Sequence, residues 1–183
     1  MSSELRVDKI VPIDGVPSGG GGGVIQIVEA STNTEQTISS TTPTTVLTAS
    51  ITPKFSTSKI RIELNIFAYH MNYYDGYVGL FRGSSSTVIT GASQGGNSDK
   101  ASIMLRQGSF EDQTSNGDYQ CNPTYYSYFD TAGTTSQISY VAKAFTNGGS
   151  SYPTYINRSL SRSQSNSNFP KLVSTLTLTE HSA

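Results

Sequence analysis

From Lys59 to Ala68 the chain alternates without a break, with Ile60, Ile62, Leu64 and Ile66 on one parity and Lys59, Arg61, Glu63 and Asn65 on the other. A period of two places four branched apolar side chains on one face of a strand and four polar ones on the opposite face. Such a strand must bury one face against a second layer while the other meets water or a polar partner. This stretch restricts the chain to folds in which a sheet packs through one side.

The remaining segments repeat that pattern at shorter length. Val24 to Glu29, Thr45 to Ile51, Gly76 to Arg82, Thr87 to Thr90, Ala101 to Gln107, Thr124 to Asp130 and Gln137 to Phe145 read as strands separated by Gly, Pro, Asn and Ser turns. Pro153 to Arg158 reads as an edge strand, because Pro153 cannot donate to a ladder. Leu172 to Glu180 closes the series, with Leu172, Ser174, Leu176 and Leu178 on one parity and Val173, Thr175, Thr177 and Thr179 on the other. Tyr69 to Tyr74, Gln94 to Lys100, Gly108 to Gln120 and Ser159 to Asn168 read as loops. About nine strands and no helix predict two packed antiparallel sheets, an all-β, jelly-roll-like sandwich.

Composition agrees. Charged residues make up 14% of the 183, while 29 Ser, 22 Thr and 11 Tyr supply the polarity, and no Trp is present. Thr and Tyr favour half-buried strands, and runs of Ala, Glu, Lys and Leu that would nucleate a long helix are missing. A net charge of −1 with 12 Lys plus Arg offers no basic surface for nucleic acid. The single Cys121 cannot form an internal disulfide and reads as a half-buried thiol of no consequence.

The first 23 residues are different. Leu5, Val7, Ile10 and Val11 alternate with charges over a stretch too short to bury anything alone, Pro12 and Pro17 block a helix, and Gly19, Gly20, Gly21, Gly22 and Gly23 form a joint. Glu4, Arg6, Asp8 and Lys9 interrupt the apolar residues that a secretory signal would need, and no stretch has the length of a membrane span. The division expected is an arm and hinge at 1–23 and a head domain at 24–183, with the arm adding as a strand to another chain's sheet.

No catalytic constellation is evident. His70 and His181 are the two histidines, one expected in a loop and one next to the C-terminus, so neither a Ser-His-Asp triad nor a histidine metal cluster is expected, and no cofactor is implied. Asp75, Glu111, Asp112, Asp118 and Asp130 in or beside loops leave a carboxylate pair for glycan hydrolysis open. Asp112, Asn116 and Asp118 do not fit a calcium loop. Tyr73, Tyr74 and Tyr77 offer flat amphipathic faces for sugar rings or a protein partner, whereas Tyr126 and Tyr128 suit a core or a subunit contact. Asn157 and Arg158 read as turn or subunit-contact groups.

Three sets of residues resemble virion proteins of tailed bacteriophages, in particular short fibre or appendage proteins of phages of marine bacteria. Ser3 to Ile10 looks like an S-x-L-x-V-D-x-I arm, and Gly19 to Gly23 before Val24-Ile25-Gln26 like its joint and first strand. Ser58-Lys59-Ile60 with the later Leu80-Phe81-Arg82-Gly83 resembles a strand, turn and hairpin module. Tyr155-Ile156-Asn157-Arg158-Ser159 and Ser174 to Glu180 look like its close. Tyr69 to Tyr77 and Gly108 to Pro123 depart from that pattern. The resemblance implies a homotrimeric head with a TNF/C1q-like shape, anchored by the arm to other tail or capsid proteins of the virion. It also implies a role in host attachment, with a host surface glycan as the possible ligand and no membrane insertion.

Overall fold

The computed structural model describes residues 23–70, 76–83, 87–88, 103–105, 121–159 and 171–182. Eleven strands lie among them: β1 (Val24–Thr32), β2 (Gln36–Ile38), β3 (Thr44–Ile51), β4 (Lys59–His70), β5 (Gly76–Arg82), β6 (Thr87–Val88), β7 (Ile103–Leu105), β8 (Asn122–Thr131), β9 (Ile138–Thr146), β10 (Thr154–Ile156) and β11 (Ser174–His181). A 3-10 turn occupies Gly149–Ser151.

All pairings are antiparallel. In the first sheet β4 is flanked by β8 along one edge, and by β11 and then β10 along the other; β1 lies outside β11 and β2 outside β10. The second sheet runs β3-β9-β5, with β6 and β7 both on β5. The fold is an all-β sandwich in which consecutive strands cross repeatedly between layers, in the manner of a jelly roll.

The β4 alternation does what its period requires. Ile60, Ile62, Leu64 and Ile66 are fully buried and meet Leu176 and Leu178 of β11, Val78 and Leu80 of β5, and Tyr140, Ala142 and Ala144 of β9 in one core. Each such aliphatic side chain contributes about 1.5–3 kcal/mol relative to exposure. Tyr126 and Tyr128 on the inner parity of β8 pack on the core margin.

Three expectations change. β10 is an interior strand between β4 and β2, because Pro153 sits just before its first ladder residue and removes no bond from it. β2 is too short to show a period, and it exists through pairing with β10. β4 continues through Tyr69 and His70, both buried, so His70 is a strand residue whose Nδ1 lies 3.0 Å from Thr154 Oγ1. Asp130 lies near the end of β8, within the strand expected over Thr124 to Asp130.

Asn157 shows why the segment after β10 turns as it does. Its φ of 57° is left-handed, a region that asparagine tolerates better than most residues, and it is fully buried. Its amide nitrogen donates to the carbonyls of Thr32 and Thr34, its Oδ1 accepts from Ser174 Oγ at 2.7 Å, and its backbone N–H donates to Phe67 O. One residue, through its side chain and its backbone N–H, thus joins β1, β4 and β11 where the chain leaves β10. Asn157 is a turn residue and is too buried for a subunit contact.

At the same end, Gly76 begins β5 where it passes β4 and β10. A Cβ there would stand 2.6 Å from His70 Cγ and 2.6 Å from Thr154 Oγ1. Gly76→Ala is expected to destabilise the domain by on the order of 1–3 kcal/mol through overpacking. Chemical denaturation of the two proteins measures this, and equal midpoints would show that the strands separate without strain.

Candidate functional site

At the opposite end of the sandwich two polar clusters hold the links between sheets. The first centres on Arg82, the last residue of β5. Its Nη1 donates to Asp130 Oδ2 at 2.8 Å and to Thr131 O at 2.9 Å, and Nη2 donates to Ala132 O. Tyr140 donates to the same carboxylate oxygen at 2.9 Å. Burial, and then the neighbouring Asp130 charge, push the Tyr140 pKa well above its ordinary value, so this phenol serves as a donor. The ion pair is partly buried and spans the two sheets, and the carbonyl contacts use the planar fork of the guanidinium. Asp130 thus ties β5 and β9 to the end of β8.

The second cluster is built around Glu180. It continues the inward parity of Ser174, Leu176 and Leu178, so β11 points a carboxylate into the margin of the core, where it is fully buried. Gln26 Nε2 donates to it at 2.5 Å, and the backbone N–H groups of Lys54 and Phe55 donate at 2.8 and 3.4 Å. The buried Ser58 hydroxyl also faces this carboxylate, without meeting the geometry of a full hydrogen bond. Burial raises the pKa of the carboxyl, but these donors outweigh it and hold the value below the ordinary 4.5. Glu180 fixes the β3–β4 link by accepting from its amides, a structural role that only its parity hinted at.

The two outer faces differ. On the first sheet, cross-strand rows read Phe129, Arg61, Thr179, Ile27 and Tyr125, Asn65, Thr175, Ser31 from β8 to β1. Phe129 and Tyr125 on β8 are 54% and 60% exposed, and Val24 and Ile27 on β1 are 52% and 63% exposed. Between these apolar rims lies a polar centre in which Arg61 pairs with Glu63 at 2.9 Å and Tyr125 donates to Glu63. The rims stand about 14 Å apart, three strand spacings.

The outer face of the second sheet carries Phe81, Val141 and Phe145, all buried, with Tyr77 stacked on Phe145 at a centroid distance of 5.0 Å. Beside them an open trough of about 630 Å³ runs along β3 and β9 towards Arg82. Thr45, Thr48, Thr134, Gln137 and Ser139 supply polar groups, Val141 an apolar one, and Lys143 a cation. The Lys143 ammonium lies 4.7 Å from the Phe81 ring centroid and has no carboxylate partner among the described residues.

The residues singled out in the sequence are spread over these features. Tyr77 is half-buried against Phe145, with its hydroxyl accepting from Asn147 at 3.4 Å. Gly23 exchanges hydrogen bonds with Ser182 and so extends the β1–β11 ladder. Leu5, Val7, Ile10, Val11, Gly19 to Gly22, Tyr73 and Tyr74 lie outside the described residues, as do Asp75, Glu111, Asp112 and Asp118. Cys121 is half-buried, and burial pushes its thiol up to about 12, which keeps it protonated at neutral pH. The trough was not legible in the sequence, because its polar groups come from β3, β9 and the β8–β9 link, and none belongs to a contiguous motif.

Because the folded pKa of Glu180 lies below 4.5, the stability it contributes is fully present above 4.5 and is lost as pH falls through the folded value. Glu180→Ala is expected to cost on the order of 3 kcal/mol at neutral pH, and Glu180→Gln to flatten the loss of stability below that point. Denaturant titrations over pH check both, and an unchanged acid limb in Glu180→Gln would assign the acid sensitivity elsewhere. Compared with family models and with curated protein sequences, the chain matches none.

Proposed function

We propose that this chain is a structural virion protein of a tailed bacteriophage, a short appendage whose head assembles as a homotrimer and whose N-terminal arm anchors it to another virion protein. The observation that carries the reading is the placement of Val24 and Ile27 on one edge of an exposed sheet face and of Tyr125 and Phe129 on the other, with a polar centre between them. Two different apolar patches on one subunit favour a head-to-tail contact, the β1 rim of one copy on the β8 rim of the next, and such contacts form rings when the rotation closes. A three-membered ring follows the resemblance of the sequence to trimeric phage appendages. The arm leaves the head at Gly23, on the β1 rim, so a trimer would release three arms from one zone and gain avidity for its docking site.

The head's role in this reading is adsorption to the host surface, with weak sites multiplied by three. Its alternative, a glycan-binding adhesin whose main task is recognition, draws support from the polar trough on the opposite sheet.

Deleting residues 1–22 and keeping Gly23 with its Ser182 bonds is expected to leave a folded, trimeric head that no longer incorporates into particles. Incorporation of the truncated protein would overturn the anchoring role. Ile27→Asp or Phe129→Asp is expected to give folded monomers by light scattering, since each places a charge in the centre of the contact. A trimer that survives both substitutions would move the interface elsewhere.

A further inference from the structure

We infer that the trough on the outer face of the β3-β9-β5 sheet binds an acidic saccharide, with Lys143 as the group that recognises the carboxylate. Its volume of about 630 Å³ is of the size that takes a small ligand. Its walls suit a polyol. Thr45 and Thr48 from β3 and Gln137 from the β8–β9 link present hydroxyl and amide groups that both donate and accept, as sugar hydroxyls require, while Ser139 shares its hydroxyl with Ser50 and Thr134 accepts from the Ser136 N–H, each keeping part of its bonding capacity. Val141 at the floor is buried, so recognition falls to the polar groups of the walls.

The charge selects the class. Arg82 also lines the trough, but its guanidinium is occupied by Asp130 and by the carbonyls of Thr131 and Ala132, so it stiffens the wall. Lys143 stands opposite Thr45 in the β3–β9 register, and its ammonium has only the face of Phe81 as a described partner. A carboxylate entering the trough gains a charge-assisted hydrogen bond from it. A phosphate ligand fits less well, because Lys143 is the one cation of the described lining that is not already bonded to a carboxylate and carbonyls, and a phosphate needs several charged donors. The site faces away from the sheet that carries the apolar rims, so binding and self-assembly use separate surfaces. The inference rests on the glycan-binding alternative given above and names its ligand class; the virion and trimer reading does not depend on it.

Amide shifts of the full-length protein are followed by NMR on titration with sialyllactose and trigalacturonate, and with lactose and inorganic phosphate as comparisons. Saturable shifts at Lys143, Ser139 and Gln137 with either acidic saccharide, at roughly millimolar affinity, are expected, with lactose at least about tenfold weaker. Lys143→Ala is expected to weaken the acidic ligand about tenfold or more and Lys143→Arg to retain it, while light scattering finds the wild-type oligomer in both. Equal binding of lactose, saturation of the same amides by phosphate alone, undiminished binding by Lys143→Ala, or no shift with either acidic saccharide would each overturn the site. The oligomer measurement is independent of the titration, so failure of the site and failure of the assembly reading are told apart.

Discussion

Burial of one face of β4 is the constraint on which the rest of the molecule depends. Its twelve residues are bonded to β8 on one side and to β11 and β10 on the other, and its inner row supplies the four fully buried aliphatic residues at the centre of the core. A slip of one residue in either ladder would turn Ile60, Ile62, Leu64 and Ile66 to water and bring Lys59, Arg61 and Glu63 inward, which fixes the register without help from turn chemistry. The other strands are shorter, and each is positioned by what β4 and its neighbours leave to be covered.

The ends of the sandwich are held by polar groups and not by more apolar packing. Arg82 with Asp130 and Tyr140 joins the two sheets at one end, Glu180 draws the β3–β4 link onto the same end, and Asn157 gathers β1, β4 and β11 at the other, where the chain leaves β10. Each is buried or partly buried and bonded to backbone groups that the strands cannot satisfy themselves, which is where buried polar residues do most for a fold. A chain without a disulfide gains specificity of turn geometry in this way.

The two outer faces suggest a division of labour in the proposed assembly. One carries apolar rims separated by an ion-paired centre, a pattern suited to contact between copies; the other carries a polar trough beside a buried aromatic row. A head that assembles through one sheet and presents the other to its surroundings can recruit weak sites in multiple copies.

Local periodicity was sufficient for the fold class. The alternations at Lys59 to Ala68, Gln137 to Phe145 and Leu172 to Glu180 are read directly from side-chain parity, because a half-buried strand must alternate whatever its neighbours are. The parity of β8 likewise separated the core-packed Tyr126 and Tyr128 from the exposed Tyr125 and Phe129. What only the tertiary structure decided is everything that depends on which strands are neighbours. A three-residue β2 has no period, Pro153 proved compatible with an interior strand, and the partners of Glu180, Arg82 and Asn157 lie 125, 48 and 17 residues away along the chain. The trough follows the same rule, since Thr45, Thr134 and Lys143 become neighbours through sheet pairing and a turn, and pairing across such distances leaves no mark on local sequence.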